Sequence, residues 1–84
     1  MKHAGPEALD QLDILLTALR KLPGLQEKSR GVFYRRSRAF LHFHEDPTGL
    51  YADLRHGEEF ERVRVTTVTE RNRLLRRVTG VCAP

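Results

Sequence analysis

The sequence has no tryptophan and only one cysteine, Cys82, so it excludes an internal disulfide. No apolar run approaches the roughly 18 residues that a membrane-spanning helix needs, and the N-terminus lacks the apolar core of a signal peptide. We therefore expect a reduced, cytoplasmic protein with no membrane partner. The sequence also lacks a glycine-rich phosphate loop and a nucleophile elbow. We predict a protein that is not an enzyme, with no cofactor and no small-molecule substrate.

Charge is unevenly distributed. Fifteen basic residues against eleven acidic ones give a net charge of +4, and the segment from Phe60 onward has six arginines but two glutamates. This excess has two interpretations, a polyanion partner or a solvated helix face, and composition alone leaves both open.

A first helix is predicted from Pro6 to about Leu22. Proline suits the first helical turn, leucines recur every three or four residues, and Pro23 with Gly24 predicts the end. Residues 1–5 are predicted to be a disordered tail, and residues 25–30 a polar connection.

A second helix is predicted to begin at Thr67, because Thr67 and Glu70 have the spacing of a capping box. Its apolar stripe includes Leu74 and Val78, and Gly80 is expected to end it. Residues 82–84 are predicted to be disordered.

The segment between the helices has the alternation of short strands. The sequence DPTG, from Asp46 to Gly49, is typical of a type I turn followed by a left-handed glycine. That turn predicts the pairs His44–Tyr51, Phe43–Ala52, His42–Asp53 and Leu41–Leu54.

Two further turns complete the predicted sheet. A turn around Ser37 and Arg38 would place Tyr34 opposite Leu41 and Phe33 opposite His42. A turn within residues 56–59 leads to a last strand, in which Arg62 is expected opposite Asp53.

These elements predict one α+β domain over residues 1–84, a two-layer sandwich in the order helix, four-stranded antiparallel meander, helix. Both helices have one apolar face, so both are expected on the same side of the sheet. The residues predicted to face the helices are Val32, Tyr34, Leu41, Phe43, Leu50, Ala52, Leu54, Val63 and Val65.

The opposite side, which we call the open face, is predicted to carry the binding residues. They are Phe33, Arg35, Phe40, His42, His44, Tyr51, Arg55, Phe60, Arg62 and Arg64, together with Asp53.

Arginines interleaved with aromatic rings are typical of a platform on which single-stranded bases stack. The same residue types are enriched in protein interfaces, so a protein partner or a homodimer is the alternative. A third interpretation assigns no function: the arginine stems lie over the rings, for example Arg64 over Tyr51.

His42 and His44 project to one side of their strand, and Asp53 opposite could complete a metal site. The predicted neighbour Arg62 competes for that carboxylate and repels a cation, so the sequence analysis assigns no metal ligands.

The order of elements and several short motifs resemble the MmcQ/YjbR-like family of small bacterial proteins. The matching residues are Leu22, Pro23, Gly24, Glu27, Arg38 and Phe40. The chain departs from that family by its shorter length and by having no tryptophan before the last helix. A YdhG-like family is a second match. The first resemblance implies a fold that has been likened to DNA-binding domains, and it identifies no functional residue.

Overall fold

The computed structural model describes residues 1–83. The strands are β1 (Lys2–His3), β2 (Leu25–Ser29), β3 (Val32–Arg35), β4 (Arg38–Asp46), β5 (Gly49–His56) and β6 (Glu59–Arg64). The helices are α1 (Pro6–Gln11), α2 (Asp13–Arg20) and α3 (Val68–Cys82). None of these helices has both the length and the hydropathy that crossing a membrane would require.

The sheet is an antiparallel meander in the order β2-β3-β4-β5-β6, and β1 pairs separately with β4. The α+β prediction with helices packed on the sheet is confirmed, but the strand count of four is wrong. Residues 25–29, predicted to be a polar connection, form the edge strand β2 against β3. The alternation is hidden there because an edge strand has polar side chains on both faces. For example, Glu27 faces α2 and accepts hydrogen bonds from Arg20.

The helices bury their leucine and valine stripes against one face of the sheet. Leu16 and Leu19 of α2 and Leu74 and Val78 of α3 are fully buried. The helix predicted from Pro6 to about Leu22 is interrupted at Leu12, a buried turn residue, and ends at Arg20. The sheet residues in the same core are Phe33, Phe40, Leu41, Phe43, Leu50, Ala52, Leu54 and Val65.

The pairing predicted from the DPTG turn is confirmed in all four pairs, from His44–Tyr51 to Leu41–Leu54. Gly49 has a φ of 141°, and a Cβ added there would lie 2.3 Å from Thr66 Oγ1, so both backbone and space demand glycine. The next turn places Arg62 opposite Asp53, as predicted.

The predicted pairing of β3 with β4 is wrong by one residue. The turn centres on Arg36 and Ser37, and β4 has a bulge at Phe40, so Phe33 pairs with Leu41 rather than His42. A one-residue shift exchanges the two faces of a strand.

Three residues that were predicted on the open face therefore do not lie there. Phe33 is fully buried in the core and Phe40 is 5% exposed. Arg35 lies on the helix side, where its guanidinium donates to the carbonyl of Val81. By alternation, Val32 and Tyr34 take the open face, which corrects their predicted burial.

The prediction of a disordered N-terminal tail is wrong for β1. The nine-residue β4 extends beyond β3, and β1 pairs with the end that β3 leaves uncovered. The Gly5 N–H donates to Glu45 Oε2 at 2.6 Å and holds the chain there. At the other end, α3 includes Cys82, which was predicted to be disordered, and Pro84 lies outside the described residues.

Candidate functional site

Three histidines meet on the open face. His42 and His44 project from β4, and β1 places His3 directly opposite His44. The His42 Nδ1 and His44 Nε2 atoms are 3.1 Å apart, and the His3 and His44 rings stack with centroids 4.8 Å apart. One ring nitrogen from each of the three lies within 4.8 Å of the other two. We call His3, His42 and His44 the histidine cluster.

Asp53 lies beside the histidine cluster and is held by Arg62. The guanidinium donates from Nε and Nη2 to the two carboxylate oxygens at 2.8 and 2.9 Å. These hydrogen bonds lower the pKa of the Asp53 carboxyl, so it is ionised at neutral pH. His44 Nε2 is 3.1 Å from Asp53 Oδ2, so His44 contacts this carboxylate, although His42 is the residue paired with Asp53 across the strands.

His44 is 8% exposed, and its Nδ1 has no hydrogen-bond partner among residues 1–83. If the hydrogen is on Nε2, that group donates to Asp53 and Nδ1 is a buried lone pair without a donor. If the hydrogen is on Nδ1, it has no acceptor, and the Nε2 lone pair faces an anionic oxygen. Neither neutral tautomer satisfies both nitrogens, which costs about 1–3 kcal/mol for a buried polar group.

His42 is half-buried between the other rings of the open face. Burial lowers the pKa of the imidazole; the Asp53 carboxylate opposes this shift, and the other histidines and Arg62 add to it. The ring packs edge-on against Phe60 with the centroids 5.1 Å apart. His42 is therefore neutral at neutral pH and has a lone pair available to accept a proton or bind a metal.

The two β6 arginines predicted to bind a ligand on the open face have partners within the protein. Arg62 binds Asp53, and Arg64 donates to both carboxylate oxygens of Glu70 at 3.0 Å. The Tyr51 hydroxyl lies 2.8 Å from the hydroxyl of Thr48. These contacts neutralise much of the charge that the sequence predicted for the middle of the open face.

Arginines do lie over aromatic rings, although not in the pair predicted. The Arg55 guanidinium lies over the Phe60 ring at 4.7 Å, and that of Arg35 lies 5.9 Å from the Phe40 ring centroid. Phe60 is nevertheless 39% exposed, so part of the ring is open to a ligand.

A basic cleft of about 330 Å³ lies where the β3–β4 and β5–β6 turns meet. Its lining includes four arginines and His56, and the described residues place no carboxylate in it. We call this region the basic cleft; its arginines are Arg35, Arg36, Arg38 and Arg55.

Within residues 1–83, one arginine of the basic cleft has a carboxylate partner. Arg38 forms an ion pair with the exposed Glu58 at 2.9 Å. None of the ion pairs within residues 1–83 involves Arg35, Arg36 or Arg55. Arg55 donates instead to the carbonyls of Ala39 and Gly57.

The backbone at this turn is strained. Arg36 and Ser37 have φ values of 54° and 65°, a region that side chains disfavour. Such strain is concentrated at functional sites, because selection for stability alone would replace these residues by asparagine and glycine.

Sequence reasoning missed three residues of these two sites. Arg36 and Arg38 had a signal, since the sequence YRRSR places three arginines in one hairpin turn. His3 had none, because the two residues of β1 show no periodicity and their partner strand is some forty residues away.

A comparison of the chain with protein-family models, with curated proteins and with solved structures finds no match. The resemblance to the MmcQ/YjbR-like family stays a prediction.

Proposed function

We propose that this protein is a non-enzymatic binding module for single-stranded nucleic acid. Phosphates occupy the basic cleft, and the adjoining bases stack on the exposed edge of the open face. The observation that carries the proposal is the grouping of four arginines around one cleft, of which only Arg38 forms an ion pair within residues 1–83.

Phosphate is the anion that best fits this grouping. Arginine has planar N–H donors that bind phosphate oxygens in pairs, and it stays charged at every physiological pH. Arg36 lines the cleft from a turn where its φ is 54°, and no carboxylate within residues 1–83 pairs with it.

The link between cleft and bases is Arg55. Its guanidinium lines the basic cleft and also covers part of the Phe60 ring. Phe60 in turn packs against His42, so a stacking surface begins directly beside the phosphate site. Stacking on aromatic side chains contributes about 1–3 kcal/mol per base and tolerates any sequence.

The test is fluorescence anisotropy with a labelled single-stranded oligonucleotide. The double variant Arg36→Ala, Arg38→Ala is expected to weaken binding at least about tenfold, since two phosphate contacts are lost. The matched control is Arg73→Ala, Arg76→Ala, which removes the same charge from exposed positions of α3. That control is expected to change affinity by less than about threefold.

The salt dependence gives a second readout. Between about 50 and 200 mM salt, log affinity is plotted against log salt concentration. The magnitude of the slope should decrease by roughly one for each phosphate contact removed from the cleft. Phe60→Leu should weaken binding without changing that slope, because stacking releases no counterions. If the cleft double variant and the α3 double variant lost equal affinity, the binding would be non-specific attraction between charges, and the proposal would be overturned.

The alternative of a protein partner or a homodimer through the open face stays a prediction. The structure lessens its support, because two of the four aromatic residues behind it, Phe33 and Phe40, belong to the core. Sedimentation of the chain without nucleic acid tests it, and a concentration-dependent dimer that Phe60→Ala dissociates would favour it.

A further inference from the structure

We propose that His3, His42 and His44 together bind one divalent transition-metal ion, with zinc as the ion that fits the ligand set. This proposal does not rest on nucleic-acid binding, although His42 also packs against Phe60 of the proposed stacking surface. The histidine cluster lies toward the opposite end of β4 from the turn that forms the basic cleft.

The ligand chemistry points to zinc or a similar ion. Three imidazoles offer nitrogen donors, which zinc, copper and nickel bind well and which calcium and magnesium bind poorly. Three protein ligands leave one coordination position for water or a further donor.

The spacing of two ligands already suits a metal. With zinc–nitrogen bonds of about 2.0–2.1 Å, tetrahedral geometry separates two ligand nitrogens by roughly 3.3 Å. His42 Nδ1 and His44 Nε2 are 3.1 Å apart. His3 is exposed, so its stacked ring can turn about its side-chain torsions and direct a nitrogen to the same point.

Asp53 and Arg62 have defined places around such an ion. Asp53 Oδ2 lies 3.1 Å from His44 Nε2, the nitrogen that would bind the ion, so this carboxylate lies beside the ion and does not orient the ring through its other nitrogen. Arg62 holds both oxygens of that carboxylate, so Asp53 is not assigned as a ligand. Lys2 and Glu45, the neighbours of His3 and His44 along their strands, pair with each other at 3.7 Å.

The experiment is isothermal titration calorimetry of the untagged chain with zinc chloride near neutral pH. We expect one ion per chain, and a loss of at least about tenfold in affinity for both His3→Gln and His42→Gln. The chain has four histidines, so His56→Gln, at an exposed turn, is the matched control and should leave affinity unchanged. Magnesium in place of zinc should give no binding.

His44 is not substituted in this test, because loss of a buried ring confounds binding with folding. Its part is read from imidazole ¹⁵N NMR of the parent protein, in which zinc should shift a ring nitrogen of each cluster histidine and none of His56. The proposal is overturned if the parent binds no zinc, if His3→Gln binds as tightly as the parent, or if His56→Gln loses as much. Retained zinc affinity in Arg36→Ala, Arg38→Ala would show that the metal site is separate from the basic cleft.

Discussion

Asp53 and Arg62 form a two-point ion pair across β5 and β6, with N···O distances of 2.8 and 2.9 Å. The carboxylate is nearly buried, whereas the arginine side chain is about half exposed. The same carboxylate contacts His44, so a single pair fixes the charge beside the histidine cluster. The contribution of the Asp53–Arg62 pair to stability should therefore depend on pH differently from that of an ordinary surface ion pair.

Arg62→Met is expected to lower the melting temperature at neutral pH, because Asp53 is left ionised without its partner. The pair lowers the folded-state pKa of Asp53, so its stabilisation is present above the unfolded pKa of about 3.9. That stabilisation disappears as pH falls through the lowered folded pKa. Thermal unfolding followed by circular dichroism should thus show that the melting temperatures of the parent and of Arg62→Met converge below about pH 4. Arg73→Met is the control, and a difference that stays constant with pH would contradict the prediction.

Gly49→Ala is expected to destabilise the protein by about 2–4 kcal/mol. The new Cβ meets Thr66 Oγ1 at 2.3 Å, and the backbone has a φ of 141°. Gly80→Ala is the matched control: no atom lies within 4 Å of the added Cβ, and alanine favours the helix by up to about 1 kcal/mol. Urea denaturation measures both, and a stable Gly49→Ala protein would mean that the β5 turn rearranges at little cost.

The double variant Arg36→Asn, Ser37→Gly is expected to raise the free energy of unfolding by about 1–2 kcal/mol. Asparagine and glycine adopt the positive φ values of this turn with little strain. The same variant should bind oligonucleotide less well, because Arg36 leaves the basic cleft. Ser37→Gly alone should gain part of the stability at unchanged affinity. A double variant that is no more stable than the parent would show that the turn stores no strain.

Thr67→Ala is expected to cost about 1 kcal/mol, since it removes the N-cap of α3. The Thr67 side chain accepts from the Glu70 N–H at 3.1 Å, and Glu70 accepts from the Thr67 N–H in return. Thr69→Ala changes the same residue type two residues later, within the first turn of α3, and should leave the stability nearly unchanged. Chemical denaturation monitored by far-UV circular dichroism gives the free energy of unfolding of both variants. Equal losses would show that the capping box does not stabilise the protein.

Much of the fold could be predicted because its signals are local. The DPTG turn alone sets the pairing of His44 with Tyr51, and the threonine and glutamate at the start of α3 specify its N-terminus. The metal site was considered at the sequence level, but with Asp53 as the third ligand. The residue that the structure brings there is His3, which no local pattern indicates.

The sequence by itself determined the class of fold, the β4–β5 and β5–β6 hairpins and the start of the last helix, because a turn or a cap constrains the backbone within a few residues. Only the tertiary structure decided the bulge at Phe40, which moves Phe33 into the core, and the pairing of β1 with β4. Those two features depend on how the core is filled and on which strand edge is left unpaired. Both are properties of the assembled sheet rather than of any one segment.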